Sequence, residues 1–328
     1  MLHFAENHVI CSRMKTRKSL LYIARTQWQL LLLSVPFMML VLVFNYLPIW
    51  GWIYSFFEAS QQTMLPNFAK FQGISMFVKM FTASRFWDAF RNTLAISMIG
   101  LVINYVSSIA FAVMLNEVRV KWFKRSMQTI SYLPHFISWV VAFSMISVAL
   151  SPDGGIINEM LIRLGIIDKP VNWIIQNSPT IWMVLVLSGL WKSLGWNSII
   201  YLSAMAGIDP GLYESAQIDG AGRLRRIFNI TIPCIMPTIR LLLILSIGRI
   251  LSVGFEQYLL MQKPLTLQYS EVIETLAYRI VWGSNNPGRM YRDISYATAI
   301  GMMNSVVSLI LLITANKVSS LVDGERLF

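Results

Sequence analysis

Six long apolar segments constrain the fold of this chain more than any other feature of its sequence. Each is close to the roughly 20 residues that a helix needs to cross the hydrocarbon core of a bilayer. They lie at about 30–50, 93–115, 128–150, 181–204, 235–260 and 294–315. Soluble cores do not require so many segments of this length. The sequence therefore predicts an all-α, polytopic membrane protein with six transmembrane helices.

The composition agrees with a membrane location. Of the 328 residues, 55% are hydrophobic and only 13% are charged, whereas soluble domains carry about 25% charged residues. The net charge of +11 does not indicate nucleic-acid binding, because the basic residues lie in short loops between apolar segments. Cys11 and Cys234 are far apart and the three histidines are scattered, so neither a disulfide framework nor a metal site is predicted.

The distribution of Lys and Arg predicts the orientation in the membrane. If the amino end is inside, the cytosolic segments are 1–29, 116–127, 205–234 and 316–328. Together with Arg240 at the foot of the fifth span, these segments carry fifteen of the 27 Lys and Arg residues, and the outer loops carry ten. This excess follows the positive-inside rule, so both termini are predicted to be cytosolic.

The predicted organisation is a basic cytosolic arm, one six-helix transmembrane domain and a short cytosolic tail. Their bounds are 1–29, 30–320 and 321–328. The first apolar segment begins about thirty residues into the chain and is long enough to span. It is therefore predicted to be a retained helix rather than a cleaved signal.

One cytosolic loop, residues 209–233 (the polar loop), is polar and rich in small residues although it lies between two long apolar segments. Asp209 offers an N-cap oxygen and Pro210 tolerates the first helical position. These residues predict a short helix that reaches Asp219. Gly220 then supplies the permissive backbone that a turn needs.

A second amphipathic helix is predicted after this turn, over Arg223–Phe228. Ala221 and Gly222, just before it, are small enough to let another surface approach closely. Pro233 and Pro237 are expected to interrupt the chain just before the next membrane segment. The loop is thus predicted to be a helix–turn–helix unit rather than an irregular connection.

Three stretches of the polar loop, in this order, resemble the EAA loop in the permease subunits of ABC importers. They are Glu214-Ser215-Ala216, Asp219-Gly220-Ala221 and Ile230-Thr231-Ile232-Pro233. Ser215 stands where the family usually has Ala. The resemblance implies that the loop is a pair of coupling helices that dock into a cleft on a cytosolic ATPase. An ordinary cytosolic helix–turn–helix connector is the alternative interpretation.

The same resemblance implies a set of ATPase-coupling residues. Glu214 would be the anchor against the ATPase, Gly220 would form the turn, and the arginines would make supporting polar contacts. The full set is Tyr213, Glu214, Ala216, Asp219, Gly220, Arg223, Arg225 and Arg226. Movement of this loop would tilt the spans and open a path to the outside.

Three further stretches resemble the oligo- and polysaccharide branch of these permeases. They are Tyr132–Trp139, Trp191–Leu202 and Ser252–Gln257. The resemblance covers the chain from about residue 25 onward and implies a type I permease-like fold in the bacterial inner membrane. It extends to the permeases of alginate importers, which makes alginate one expected substrate. The residues themselves leave the saccharide and its acidity open.

The resemblance also implies the partners of the chain. These are a second, different permease subunit, two ATPase subunits and a periplasmic or extracellular solute-binding protein, all acting at the lipid membrane and without nucleic acid. The sequence contains no G-x-x-x-x-G-K-[ST] motif, so it cannot supply its own ATP-binding loop. The chain is therefore predicted to be no enzyme and to hold no cofactor, with ATP and Mg²⁺ bound by the partner ATPase.

Charged and polar residues within the spans mark a candidate substrate path. Lys192 and Arg249 lie near the middle of their predicted spans, where an ionisable group costs a few kcal/mol on insertion scales. They either contact sugar hydroxyls or carboxylates, or they bind carbonyls or acids and lock two helices together. Glu256 lies seven residues beyond Arg249 and is expected on the same helix face. The candidate path consists of Trp191, Lys192, Asn197, Arg249, Phe255, Glu256 and Asn304.

Further expectations concern single residues of the spans and the outer loops. Aromatic residues such as Trp191 and Phe255 could stack on sugar rings, although packing is the commoner role of such residues. Pro134 is expected to set a kink or a helix start. Glu271 and Glu274, three residues apart on a predicted outer helix, are expected to form a solvated face.

Two functions of other classes compete with the importer. An ATP-independent channel or ion-coupled carrier would explain the spans and the buried cations, but would leave the polar loop without a purpose. A non-transporting membrane scaffold or sensor would leave the costly buried cations unexplained. Uptake driven by an ion gradient would favour the first, and an absence of substrate accumulation would favour the second.

Overall fold

The computed structural model of the chain describes residues 28–59, 66–176, 178–283 and 293–323. Within them, five helices are long and apolar enough to cross a membrane, and a sharply bent pair makes a sixth span if it is counted as one. The predicted polytopic helical fold is therefore confirmed. The predicted basic arm up to residue 27, and the tail from residue 324, lie outside the described residues.

The helices and strands are labelled in chain order. The first are α1 (Trp28–Val41), β1 (Phe57–Ala59), β2 (Pro66–Phe71), α2 (Ser75–Thr82), α3 (Ser84–Glu117), α4 (Lys121–Phe136), α5 (Trp139–Ala149) and α6 (Ile156–Arg163). The rest are α7 (Thr180–Ala206), α8 (Pro210–Ile218), α9 (Arg223–Arg226), α10 (Ile232–Gly248), α11 (Phe255–Met261), α12 (Leu267–Ser270), α13 (Ile273–Trp282) and α14 (Ile294–Asp323). The two strands form an antiparallel hairpin.

The chain divides into two units between Ile53 and Tyr54. In the first unit, α1 continues through a π-helical turn (Leu42–Tyr46) into a 3₁₀ segment that starts at Leu47. Its apolar side chains are largely exposed, as the 70% exposure of Phe44 illustrates. Exposed apolar side chains along a helix of this length are typical of a surface covered by lipid. The second unit contains the polar loop and all the other elements considered below.

The third predicted span is not one straight helix. Helices α4 and α5 meet at an angle of 106°. Ile137 and Ser138 have extended backbones, and the Ser138 hydroxyl accepts a hydrogen bond from the Val141 amide at the start of α5. Pro134 lies in the last turn of α4, where its missing N–H and its ring weaken the helix. The kink expected at Pro134 is confirmed, whereas the alternative of a helix start is wrong, because Pro134 lies at the end of α4.

The fifth predicted span is also shorter than expected. Helix α10 ends at Gly248, with Arg249 as its C-cap, and α11 begins only at Phe255. Gly254, between them, has φ +100°, a conformation that favours glycine and that helices do not contain. The prediction that Arg249 lies in mid-span and shares a helix face with Glu256 is therefore wrong, because a non-helical break separates the two residues.

Pro233 and Pro237 do not interrupt the helix before the fifth span, contrary to the prediction. The apolar helical run continues from Arg223 to Gly248, with a π-helical turn over Ile227–Thr231. A proline ring collides with the carbonyl four residues before it, and a wider turn relieves that collision. Pro233, whose fourth preceding residue lies inside the π turn, is accommodated in this way. The predicted second helix is thus the beginning of the next span.

Helices α3 and α7 make the most extensive helix–helix contact in the described part of the chain. Two buried apolar clusters lie along this pair. One contains Ile96, Ile181, Leu185, Val186, Tyr258, Met261 and Val272, and the other contains Ala112, Tyr201, Met205 and Ile235. The pair therefore forms the central support of the second unit, against which α10, α11 and α13 pack.

Helix α4 crosses α7 in direct backbone contact. A methyl group built on Gly195 of α7 would lie only 2.2 Å from the Ser131 carbonyl oxygen of α4. Beside this point, the rings of His135 and Trp196 stack with centroids 4.4 Å apart. Small residues permit such close crossings in membrane proteins. Gly195 is therefore required here for its lack of a side chain.

Glu271 forms the centre of a buried polar cluster that joins α12 and α13 to the start of α3. Its carboxylate accepts two hydrogen bonds of 2.7 Å from Arg85 and lies 3.8 Å from Arg279. The Asn92 amide donates to the Glu271 carbonyl. Glu271 is only 3% exposed, so the expected solvated face of Glu271 and Glu274 is wrong. Sequence spacing could not reveal the ion pair with Arg85, because Arg85 lies 186 positions from Glu271 in the chain.

We predict that Gly195→Ala disrupts the crossing of α4 over α7 and lowers the yield of folded protein. Gly301→Ala is the matched control, because a methyl group there meets no atom within 4 Å and alanine is favoured over glycine in a helix by about 1 kcal/mol. The measurement is the monodisperse fraction in detergent size-exclusion chromatography. Equal yields for the two variants would contradict the close crossing.

We predict that Arg85→Gln destabilises the chain by about 2 kcal/mol, because it leaves the buried Glu271 carboxylate poorly paired. The loss is smaller than for a fully buried pair, since the Arg85 side chain is 55% exposed. Thermal unfolding of the detergent-purified protein measures it. Arg163→Gln is the control, because Arg163 forms only an exposed pair with Glu159. A stability loss no larger than that of the control would contradict the importance of the cluster.

Candidate functional site

The first half of the polar loop is a helix with well-formed ends. The Asp209 carboxylate accepts a hydrogen bond of 2.9 Å from the Gly211 amide, and Pro210 opens α8. At the other end, the Ala221 amide bonds to the Ala216 carbonyl at 2.8 Å, and Gly220 has φ +74°. This pattern satisfies the last carbonyls of the helix and favours glycine at the turn. The predicted helix start, helix end and turn are all confirmed.

Two side-chain contacts fix the polar loop to the transmembrane helices. The Tyr213 hydroxyl lies 3.0 Å from the hydroxyl of Thr231, which is 1% exposed at the start of the fifth span. The Arg223 guanidinium lies 4.0 Å from the Glu117 carboxylate at the end of α3. The first contact is partly buried and joins α8 to the helical run that continues as α10.

The outer surface of the loop is exposed and mixed in character. Glu214 is exposed and has no pairing partner among the residues that the structure describes. The polar loop also exposes large apolar side chains, with Ile218 87% exposed, Leu224 71% and Phe228 64%. An exposed apolar group with a polar rim is typical of a protein interaction site. The geometry of this face therefore suits docking of another protein.

A cavity of about 610 Å³ lies in the second unit, between α3, α7 and the carboxyl end of α10. Polar or small residues of α3 and α7 face it at helical spacing: Ser97, Gly100, Asn104 and Ser108 from α3, and Gly189, Ser193 and Asn197 from α7. Aromatic residues complete the wall: Tyr105, Trp139, Tyr201 and Tyr258. A volume of this size is typical of ligand sites.

Most neutral polar groups in this wall are already satisfied. The Tyr105 and Ser246 hydroxyls lie 3.1 Å apart, and the Asn104 amide donates to the Gly100 carbonyl at 2.8 Å. The hydroxyl oxygens of Ser97 and Ser108 are buried and have no hydrogen-bond partner among the described residues. The wall thus combines hydrogen-bonded polar groups with aromatic side chains, a combination that suits sugars.

The structure brings two of the predicted path residues into this cavity and leaves five outside its wall. Asn197 and Arg249 line it. Phe255 packs edge-on against Tyr278 of α13, with ring centroids 4.9 Å apart. Trp191 and Glu256 are exposed, and Asn304 lies on α14. Lys192 is the fifth, and its contacts are distinct.

Lys192 binds the end of α4. It is 9% exposed, and its ammonium group donates to the His135 carbonyl at 2.8 Å and to the Pro134 carbonyl at 3.4 Å. The last carbonyls of a helix have no partner within it, and a cation there also complements the helix dipole. Of the two roles left open by the sequence, the structure supports the carbonyl contact that locks two helices.

Trp139 and the tyrosines of the wall were missed by the sequence reasoning. Trp139 was noted only as the end of the stretch that opens the third span. The 106° bend before it is what places it at the cavity, with the Lys192 ammonium 5.4 Å from its ring centre. Ser108 and Asn104 belong to a small and polar stripe on α3 that could have been found from its helical spacing.

No group of three His, Cys, Asp or Glu side chains within the described ranges could hold a metal ion.

The family assignment follows from comparison with known proteins. Residues 104–320, which include the polar loop and most of the cavity wall, match the model of the family described as "Binding-protein-dependent transport system inner membrane component". The polygalacturonan/rhamnogalacturonan transport system permease protein YteP of Bacillus subtilis (strain 168) is 35% identical over 314 residues, which is 95% of this chain and 94% of that protein. The chain belongs to this family of ABC-transporter permeases, and it is a multi-pass membrane transport subunit.

Two solved structures are similar to this chain. One is the crystal structure of a bacterial ABC transporter involved in the import of the acidic polysaccharide alginate, with a TM-score of 0.79 and 36% identity over 93% of this chain and all of that one. The other is a bacterial alginate ABC transporter in complex with a periplasmic protein bound to an alginate pentasaccharide, with a TM-score of 0.80 and 35% identity over 94% of this chain and all of that one. The type I permease fold implied by the sequence is confirmed.

We predict that Lys192→Leu lowers stability by about 2 kcal/mol, the scale of lost hydrogen bonds to a charged group, and leaves the apparent affinity for substrate unchanged. Thermal unfolding and the KM of uptake separate the two effects. Lys121→Leu, which removes an exposed lysine at the start of α4, is the control. An unchanged melting temperature with a raised KM would instead assign Lys192 to substrate binding.

Proposed function

We propose that this chain is a permease subunit of a binding-protein-dependent ABC importer in the bacterial inner membrane, and that it carries an oligo- or polysaccharide. The observation that carries the proposal is the similarity, over 93% of the chain, to a solved transporter of a polysaccharide. YteP, a second relative that is similar along nearly its whole length, is also named for polysaccharides. The cavity, with its polar and aromatic wall, is the proposed path.

The proposed assembly contains a second, different permease subunit, two ATPase subunits and a solute-binding protein. Support for the binding protein comes from the solved complex of the similar alginate transporter with its periplasmic protein. Support for the ATPase comes from the exposed face of the polar loop, around Glu214 and Ile218. ATP and Mg²⁺ belong to the ATPase subunits in this proposal.

Coupling would proceed from the loop into the spans. Closure of the ATPase pair moves α8, and the partly buried Tyr213–Thr231 contact passes this movement to α10. Helix α10 ends at Gly248, and its C-cap residue Arg249 lines the cavity. A tilt of α10 therefore changes the shape of the path. Arg223, through Glu117, connects the same loop to the end of α3. The loop thereby reaches two of the three helices that border the cavity.

An ion-coupled carrier is the less favoured alternative. It leaves the exposed apolar face of the polar loop without a partner and does not account for the similarity to ABC transporters. It also loses one of its supports, because Lys192 binds helix carbonyls instead of lining the path. Of the two cations predicted within the spans, only Arg249 lines the cavity, so the support for a carrier is weaker.

We predict that an ATPase subunit co-purifies with the tagged chain from native membranes in mild detergent, and that Glu214→Lys depletes it at least fivefold. The charge reversal disturbs a residue in the centre of the proposed docking face. Quantitative mass spectrometry measures the ATPase and also shows whether the second permease is a different chain.

Glu159→Lys is the matched control, because it reverses an exposed carboxylate on α6, remote in sequence from the polar loop. It should retain the ATPase at the level of the wild type. A complex that is stable in the same detergent but holds no ATPase would refute the proposed function. Equal loss of the ATPase subunit in both variants would contradict the proposed role of Glu214 in docking.

A further inference from the structure

Arg249 differs from every other residue of the cavity wall, because it is the one that carries a formal charge among the described lining residues. Its side chain is exposed, and its guanidinium has no hydrogen-bond or ion-pair partner within the described parts of the chain. Because this guanidinium is exposed at the cavity wall, its donors are free to form hydrogen bonds with an anion that enters the cavity. Such a group therefore points to an anionic ligand.

The local backbone holds Arg249 in place for this role. It is the C-cap of α10, and its amide bonds to the Ser246 carbonyl while its own carbonyl accepts from the Ser252 amide at 2.8 Å. The residue is thus fixed at the start of the non-helical break. A cation at a helix carboxyl end is also stabilised by the helix dipole, which partly offsets the cost of keeping it unpaired.

The acidic residues that follow Arg249 most closely in the chain, Glu256, Glu271 and Glu274, form no ion pair with it in the described structure, and Glu271 is paired with Arg85 and Arg279. Glu274 is engaged by the Ser252 hydroxyl, which donates to its carboxylate at 2.5 Å. Glu256 is exposed on α11 and does not line the cavity. Neither acid forms an ion pair with Arg249 in the described structure. The charge of Arg249 is therefore available to a ligand in the cavity.

We propose that the Arg249 guanidinium binds a carboxylate of the transported saccharide, and that the substrate class is a uronate-containing oligo- or polysaccharide. Guanidinium and carboxylate match in shape and form paired, charge-assisted hydrogen bonds. Tyr105 and Trp139, which are partly exposed and lie in the same wall, are aromatic residues of the kind that stack on sugar rings. The alternation of an acid and an apolar ring face along a uronate chain fits this combination.

This inference rests on the proposed function, and uptake by intact cells tests it. The probes are labelled tri-galacturonate, a labelled mannuronate trimer, and carboxyl-reduced tri-galacturonate, which keeps the linkages but lacks the charge. Wild-type cells should accumulate at least one acidic probe. Arg249→Gln should raise the KM for that probe about tenfold or more, as expected for the loss of a charge-assisted contact. Arg249→Lys should recover part of the loss, because it restores the charge without the paired donors.

Arg163→Gln is the control for the loss of one positive charge, because its side chain is 82% exposed on α6 outside the cavity wall. It should leave the KM for the acidic probe unchanged. For the carboxyl-reduced probe, the KM values of wild type and Arg249→Gln should agree within twofold. Uptake of this probe by neither protein also agrees with the inference. Membrane levels of each variant are matched by quantitative blotting.

Four results would overturn the inference. They are accumulation of neither acidic probe by the wild type, an unchanged KM in Arg249→Gln, an equal rise for the acidic and the reduced probe, and competition by sn-glycerol 3-phosphate but not by uronates. The last would assign the guanidinium to phosphate. Recovery of the ATPase subunit in the pull-down described above, despite any of these results, would leave the proposed function standing.

Discussion

The direct backbone contact between α4 and α7, at Ser131 and Gly195, determines how the other elements around the cavity can be arranged. It holds the end of α4 so close to α7 that Lys192, one turn before Gly195, reaches the His135 carbonyl. The chain must then turn by 106° to continue as α5, which carries Trp139 to the cavity. One missing side chain thus sets the position of an aromatic residue in the proposed path.

Helix α7 serves two functions because its residues repeat at helical spacing on two faces. Lys192, Gly195 and Trp196 face α4, whereas Ser193 and Asn197 line the cavity. Inside a membrane, polar groups must find partners within the protein, because lipid offers none. Paired groups such as Lys192 therefore support the structure. Unpaired ones, such as the Arg249 guanidinium, are better explained by a ligand.

Much of the fold could be predicted from the sequence. The apolar segments predicted helices where α1, α3, α7, α10 and α14 lie, and Asp209 and Gly220 predicted both ends of α8. The break after Phe136 was expected from Pro134, whereas the break after Gly248 could not be predicted from composition, because the residues around Val253 continue the apolar pattern. Their causes are local backbone conformations: extended at Ser138, and positive φ at Gly254.

The candidate site was only partly predictable for a related reason. Charge and polarity identified Lys192, Asn197 and Arg249, but the side on which each lies depends on contacts between helices that are distant in sequence. Glu271 shows the same limit, because its partner Arg85 is 186 residues away. The resemblance of the polar loop identified the family correctly, because the residues that carry it lie close together in the chain.

The energy source of uptake tests the central claim most directly. Cells that express the chain are given a labelled oligosaccharide that the wild type accumulates. The ion gradient is collapsed while ATP is maintained, and in parallel ATP is depleted while the gradient is maintained. The importer account predicts that uptake persists in the first condition and stops in the second. Uptake that survives ATP depletion but is lost with the gradient would contradict it and would establish an ion-coupled carrier instead.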